Sequence, residues 1–415
     1  MTIKTPTGLF IPPLSGTARP GLCTDCGVSR MADAKACGRA CQFIRPDYPA
    51  LEQLAHGPNP AAAAPDAGFF GRYLAMHRAA LTPPAPGAQW TGITTAIAAH
   101  LLTAGTVDAV LTLTPDPADP WRGIPVIVTD PARLAECRGM RMGYAPLVAL
   151  VEPARAAGHK RIAMIGIPCQ VYALRALEKT LGFDRIYVIG TPCSDNTTLA
   201  NFHVFLNLLD PKPETISYLE FRADYRLELR FNDGRKGKTI PFLKLPISQL
   251  PADFFPMTCK TCVDYTNRLA DITVGYMGGD GDQWVIVRNE RGADLLAGIS
   301  DKLMLRPVTT RGKRQGAVKG FMANTERAAG GLPLRRMPNW LRPIVAWLQP
   351  RTGPRGLEFA RTRVEMKAIE TVLHLRHTHP ARMKNMIPAH IWKLVAPYGL
   401  TPTPTEMPTQ HDPND

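Results

Sequence analysis

The cysteines constrain this chain more than any other feature. Nine are present, and eight fall into two sets: Cys23, Cys26, Cys37 and Cys41 near the start, then Cys169, Cys193, Cys259 and Cys262 far downstream. The total is odd, and Met1–Ile11 shows no secretory leader, so free thiols in a reducing cytoplasm are expected. Scattered structural cysteines would not produce two C-x-x-C pairs and a third close pair. Thiolate sulfur binds zinc and iron–sulfur clusters. Eight ligands make two four-sulfur sites, and Cys137, in Ala135-Glu136-Cys137-Arg138, is read as a spare thiol.

The first set runs Cys23-Thr-Asp-Cys26, ten residues, then Cys37-Gly-Arg-Ala-Cys41. A C-x-x-C turn offers two sulfurs to one centre, and the loop returns with two more. A zinc ribbon usually closes on a second C-x-x-C, whereas this one closes on C-x-x-x-C. On spacing alone, zinc and iron–sulfur stand equal.

The second set carries a topology. Arg161-Ile-Ala-Met-Ile-Gly-Ile-Pro-Cys169 is echoed by Arg185-Ile-Tyr-Val-Ile-Gly-Thr-Pro-Cys193. Each reads as a short buried strand ending in Gly-x-Pro-Cys. Between them Val171, Leu174, Leu177 and Leu181 recur at helical spacing, and Gly182 is the stop. Strand, helix and strand predict a right-handed parallel crossover. Both cysteines then leave carboxyl ends of strands, where open sheets bind ligands. Adjacent strands would hold them ~5 Å apart, and Cys259-Lys-Thr-Cys262 would complete four sulfurs.

The rest of the chain reads more coarsely. Residues 90–112 predict a loop, a helix stopped by Gly105 and a strand. Trp90, Thr91, Gly92, Thr94 and Thr95 stand at that helix start, where free amides and hydroxyls suit a phosphate. Ile216–Ile240 alternates around Asn232-Asp-Gly234, a hairpin signal. Asp271–Tyr276 and Trp284–Arg288 predict strands flanking the glycine loop Gly278-Gly-Asp-Gly281. There is no P-loop and no G-x-G-x-x-G fingerprint behind a first strand. His374, His377 and His379 are read as a surface cluster beside Pro380. No run approaches the ~20 apolar residues of a membrane span. Forty prolines in 415 residues exclude a bundle or coiled coil over the whole length.

Charge is uneven. The net balance is +14, of which residues 301–415 supply +11, from 19 basic and 8 acidic residues. A basic end suits an acidic partner: nucleic acid, an anionic membrane surface or an acidic protein. A zinc-stabilised nucleic-acid-binding protein is therefore the alternative of another class. The expected organisation is a cysteine segment and linker over 1–66, an α/β core over 67–300, and a basic, mainly helical region with a disordered tail over 301–415. The expected fold class is α/β, with a mixed, partly parallel sheet.

Three segments carry a family resemblance: Gly166-Ile-Pro-Cys-Gln-Val-Tyr-Ala-Leu-Arg-Ala-Leu-Glu178, Gly190-Thr-Pro-Cys-Ser-Asp-Asn196, and Cys259-Lys-Thr-Cys-Val-Asp-Tyr-Thr-Asn-Arg-Leu-Ala-Asp271. They resemble the beta-subunit superfamily of deazaflavin-reducing hydrogenases. Trp90-Thr-Gly-Ile93, Val274-Gly-Tyr-Met-Gly278, Val287-Arg-Asn-Glu-Arg-Gly292 and Gly353-Pro-Arg-Gly-Leu-Glu-Phe-Ala-Arg361 resemble a narrower branch. That branch holds ferredoxin-dependent 8-vinyl reductases of divinyl chlorophyllide and 7-hydroxymethyl chlorophyll a reductases. The resemblance implies FAD, two 4Fe-4S clusters, reduced ferredoxin as donor and a divinyl chlorophyllide or protochlorophyllide as substrate, with no nucleic acid, no membrane span and a possible homo-oligomer. It implies Cys23, Cys26 and Cys41 as ligands of one cluster, and Cys169, Cys193, Cys259 and Cys262 at the clustered sites near the flavin. Trp90, Thr91, Gly92, Thr94, Thr95, Asp195 and Asn196 are the expected cofactor-binding residues. Relatives commonly carry a further cysteine where this chain has Ser29, and Cys37 is expected to take over that role. Tyr276, Asp280 and Asp282 are candidate proton donors.

Overall fold

A computed structural model describes residues 8–14, 23–44, 46–58, 64–222, 224–275, 281–332 and 337–407. Twelve strands, in chain order, build two sheets: β1 Leu9–Phe10, β2 Ala75–Leu81, β3 Ala109–Asp116, β4 Asp119–Val128, β5 Arg161–Gly166, β6 Arg185–Gly190, β7 Ile216–Phe221, β8 Arg226–Phe231, β9 Lys238–Pro241, β10 Ile272–Gly275, β11 Gln283–Val287 and β12 Leu303–Arg306. The large sheet has nine strands in the order β1-β4-β3-β5-β6-β10-β11-β2-β12. Its centre, β3 to β10, is parallel, and both flanks are antiparallel. The fold is mixed α/β with a large, partly parallel sheet.

The crossover predicted from the repeated strand lies at that centre. β5 and β6 pair in parallel from Arg161↔Arg185 to Gly166↔Gly190. The connecting helix is Pro168–Leu181. Proline at its first position loses no internal bond. The Gln170 side chain accepts from the Ile167 amide at 3.1 Å and so satisfies an exposed helix-start donor. Gly182 ends the helix at φ 71, a left-handed conformation that favours glycine. Val171, Leu174, Leu177 and Leu181 are buried against the sheet, each worth about 1.5–3 kcal/mol by area.

The second sheet is β7-β8-β9, antiparallel throughout. Asn232-Asp-Gly234 lies in the turn joining β8 to β9, with Gly234 at φ 81. A second hairpin, β7 to β8, turns at Tyr225, which holds φ 62 without being glycine. The apolar faces of β7 and β8 pack on Phe202, Phe205 and Leu206.

Helices dominate beyond β12. The longest, Leu357–Thr378, packs against Gln315–Ala328 and Ala389–Val395. Its Val364, Ala368, Ile369, Val372 and Leu375 share a core with Ile391, Trp392 and Val395. The surface reading of the histidine trio needs correction here. His377 is exposed, but His374 is wholly buried, its Nδ1 bonded to the Glu370 carbonyl at 3.0 Å. The helix turns both faces inward at that point, so a polar residue gave no clue to exposure. No helix among the described residues is long and apolar enough to cross a membrane.

Candidate functional site

The carboxyl ends of β5 and β6 are locked together before either cysteine is reached. Asn267 Nδ2 donates to the Gly166 carbonyl at 2.7 Å and to the Thr191 carbonyl at 3.2 Å. A Cβ on Gly190 would stand 2.7 Å from Asn267 Cγ, so this close approach requires glycine. The Cys193 amide then donates to the Tyr265 carbonyl at 3.0 Å. Cys259 lies in the short helix Met257–Lys260, and the Cys262 amide closes back on the Cys259 carbonyl at 3.2 Å. Cys169, Cys193, Cys259 and Cys262 thereby line one cleft, together with Tyr144, Asp195, Asn196, Thr24, Gln42 and Phe43.

Burial resists ionisation of these thiols. It pushes Cys259 up to about 11 and Cys262 up to about 12, and it raises Cys169 and Cys193 well above the ordinary cysteine value. Neighbouring sulfur charges add to the rises at Cys169, Cys193 and Cys262, and Asp195 adds to that at Cys259. Four such groups ionise together only around a compensating cation. Among the described residues, no group of three or more His, Cys, Asp or Glu side chains is gathered to hold a metal ion.

One cation reaches the rim that the reading of motifs missed. Lys367, from the helix Leu357–Thr378, bonds Asp195 Oδ1, the Cys259 carbonyl and, at 3.3 Å, Glu370 Oε2. Burial opposes the ammonium charge, but Asp195, Glu370 and the sulfurs outweigh it and hold the group protonated. Burial also raises Glu370 to about 7. The available signal was a lysine and a glutamate three residues apart within the buried run Val364–Val372. Asn196 is bound into the fold: its side chain exchanges hydrogen bonds with the Gly143 amide and carbonyl at 3.2 and 3.0 Å.

The first set lies alongside. Asp25 takes φ 47 and its amide donates to Cys23 Sγ at 3.3 Å. Gly27 takes φ 117, and a Cβ there would stand 2.4 Å from the Ala149 amide nitrogen. Cys37 opens the turn Cys37–Ala40, and Cys41 ends it. Burial pushes Cys26 up to about 12, with Cys41, Cys37 and Cys23 adding their charges. All four cysteines therefore act on one another, Cys37 included, while Ser29 sits in the neighbouring turn Val28–Arg30. Cys26 also acts on Cys169, and Gln42 Nε2 lies 3.6 Å from Cys262 Sγ, so the two sets are neighbours. Cys137 stands apart, packed at the edge of another core, its thiol raised to about 11 by burial.

The Trp90–Thr95 segment is on the same sheet edge but outside the cleft lining. From β6 to β2 is three strand spacings, ~14 Å. Gly92, at φ 94, caps the helix Ile93–Thr103. Thr91 Oγ1 donates to Gln283 Oε1 at 2.9 Å and accepts from the Leu81 amide at 3.1 Å, joining β2 to β11. The Ile93 amide also points at Gln283 Oε1, at 3.3 Å. The Thr91 hydroxyl is thus engaged within the fold, and Thr94 and Thr95 are the half-buried hydroxyls of that helix start. Trp90 Nε1 donates to Glu220. Of the proposed proton donors, Tyr276 and Asp280 lie outside the described residues, and Asp282 pairs with Arg78 at 2.7 Å.

Comparison with known proteins places this architecture. Residues 76–152 match the coenzyme F420 hydrogenase/dehydrogenase beta subunit N-terminal family, and residues 159–310 match its C-terminal counterpart. An uncharacterised protein of Nostoc sp. is 34% identical over 380 residues, covering 91% of this chain and 94% of that one. The chloroplastic 7-hydroxymethyl chlorophyll a reductase of Oryza sativa subsp. japonica is 34% identical over 390 residues, covering 91% and 82%. In fold, the chain resembles a subunit of the F420-reducing [NiFe] hydrogenase complex from Methanosarcina barkeri, with a TM-score of 0.51 and 20% identity over 58% of this chain and 84% of that one. With both halves of the sheet matched and a relative aligned almost end to end, the chain belongs to the coenzyme F420 hydrogenase/dehydrogenase beta-subunit family.

Proposed function

We propose that this oxidoreductase is an iron–sulfur flavoprotein that reduces the 8-vinyl group of a divinyl chlorophyllide or protochlorophyllide to ethyl, with electrons from reduced ferredoxin. The observation that carries the reading is the convergence of Cys169, Cys193, Cys259 and Cys262 on one cleft, with the Cys23–Cys41 set beside it. Two neighbouring all-cysteine sets suit two clusters, whose ligands are thiolates.

The electron count fits such a relay. Vinyl to ethyl takes two electrons and two protons, and a ferredoxin delivers electrons singly. When bound, clusters supply one-electron relay and FAD supplies two-electron storage and hydride delivery. The chain's own part is to position and to exclude water. Lys367 ties Asp195 to the Cys259 turn, and Asn267 ties β5 to β6. Trp90, Gly92, Thr94 and Thr95 stand on the same sheet edge, where a cofactor phosphate would meet a helix start. The positive balance of the chain favours an acidic donor protein.

The rice relative supports a second reading, reduction of a 7-hydroxymethyl group on chlorophyll a. One experiment separates the readings. Protein purified without oxygen is assayed for iron and FAD, then given reduced ferredoxin with divinyl chlorophyllide or hydroxymethyl chlorophyll in parallel. Ethyl product from the first supports the proposal, and turnover of the second alone replaces it. A colourless zinc protein would overturn both.

A further inference from the structure

The helix Leu341–Thr352 is built the wrong way round for a globular surface. It is twelve residues long and buries none of them. Its outward positions are Trp340, just before it, then Pro343, Ile344, Trp347, Leu348 and Arg351. That spacing, three and four residues apart, defines one continuous face. Trp340 is 71% exposed, Trp347 59% and Ile344 49%. Soluble surfaces scatter single apolar residues, but they seldom line two tryptophans, an isoleucine and a leucine along one helix.

The charge of the flanking sequence is equally one-sided. From Arg327 to Leu357 the sequence holds six arginines and no aspartate or glutamate. Arg351 lies over the Trp347 ring, 4.1 Å from its centroid. Tryptophan with arginine on an outward apolar stripe is the composition of helices that lie in a bilayer interface, rings at headgroup depth and guanidinium groups toward lipid phosphates.

We propose that the helix Leu341–Thr352, with Trp340, seats this protein on an anionic lipid surface. The occupant is argued from charge. A second copy docking by the same face would set arginine against arginine, because a two-fold interface meets itself. An acidic protein would answer the arginines but leave two exposed tryptophans without purpose. A bilayer with anionic headgroups answers both. The helix is tethered for this use: beyond its last turn, the Tyr225 hydroxyl donates to the Pro354 carbonyl at 2.6 Å. The inference does not depend on the substrate named above, so the two stand or fall separately.

The test uses the full chain with vesicles of phosphatidylcholine alone, or of phosphatidylcholine with phosphatidylglycerol, in flotation. Half of the phosphatidylcholine carries a bromine quencher in a second series. Trp121, Trp284 and Trp392 are buried, and Trp90 is half-buried with its indole bonded to Glu220, so lipid quenching reports chiefly on Trp340 and Trp347. Binding to the anionic vesicles with quenching is expected. Trp340→Ala with Trp347→Ala should cut partitioning about tenfold or more. Arg342→Gln with Arg351→Gln should cut it about tenfold on anionic vesicles only. None of the substituted side chains is fully buried, so these variants keep the fold, which circular dichroism checks. Absence of wild-type binding to either vesicle overturns the proposal. So does self-association in solution that the tryptophan variant abolishes, or tryptophan protection by reduced ferredoxin in place of lipid.

Discussion

Lys367 reaches Asp195 from a helix that starts more than 150 residues further along the chain, and the same ammonium holds the carbonyl of Cys259. Both carboxylates it serves, Asp195 and Glu370, are largely withdrawn from water. Replacing Lys367 with Met strands the Asp195 carboxylate beside four sulfurs, while Glu370, already raised to about 7 by burial, loses the cation that lowers it and takes up a proton. Breaking one side of a buried charge pair costs about 3–5 kcal/mol, and urea denaturation should show a loss of that order. A loss under 1 kcal/mol would mean that water reaches the carboxylates.

A second buried charge pair supports the sheet itself. Arg175, in the crossover helix, pairs with Asp271 at 2.9 Å, and both side chains are fully buried. Asp271 also accepts from the Val188 amide at 2.7 Å and so joins β6 to the start of β10. Asp271→Ala should therefore lose about 3–5 kcal/mol. Arg291→Ala removes a partner that is partly in water and should lose about 1 kcal/mol or less. Equal losses in the two variants would contradict this ranking.

Acid sensitivity follows from two histidines kept neutral. Burial lowers His56 to about 3 and His390 to about 2. His56 Nε2 sits 2.8 Å from the Arg268 carbonyl, and His390 Nε2 sits 2.6 Å from Arg268 Nη1. Below pH 6.5 the unfolded chain binds these protons and the folded chain does not, so stability falls as pH falls. The loss at pH 5 relative to pH 7 is on the order of 2 kcal/mol per histidine. It grows until the folded pKa values are reached. Denaturation midpoints at both pH values measure it, and His390→Gln should flatten the dependence by about half.

Iron content checks the cysteine assignment. If the Cys23, Cys26, Cys37 and Cys41 set holds one cluster, Cys37→Ala should take anaerobically purified protein from about eight irons per chain to about four. Cys137→Ala should leave the count unchanged. Unaltered iron in the Cys37 variant would show that the fourth ligand comes from elsewhere, or that three suffice.

Much of the central architecture could be read from residues alone, because one pattern occurs twice. Arg161–Cys169 and Arg185–Cys193 gave the same strand, the same length and the same exit, and β5 and β6 pair with no offset. The hairpin at Asn232-Asp-Gly234 was legible because its turn chemistry is local. The rest depends on long-range pairing. Nothing in Ala75–Leu81 announces that it lies between β11 and β12. Thr91 looked like a phosphate ligand because its hydroxyl opens a helix, and only the fold shows Gln283 taking that hydroxyl. Lys367 and Glu370 were missed, and His374 was placed on the surface, for one reason. Their helix is packed on nearly every side, so its sequence has no polar stripe from which exposure can be judged.

The helix Leu357–Thr378 also gives the cleft a schedule. It bonds the Cys259–Cys262 turn through Lys367 and through Thr371, whose hydroxyl lies 3.3 Å from the Cys262 carbonyl. Ribosomal synthesis runs from the amino end, so this brace is made only after every cysteine, the last of which, Cys262, precedes it by about a hundred residues. Until then the Cys259–Cys262 turn lacks the two contacts that fix its carbonyls.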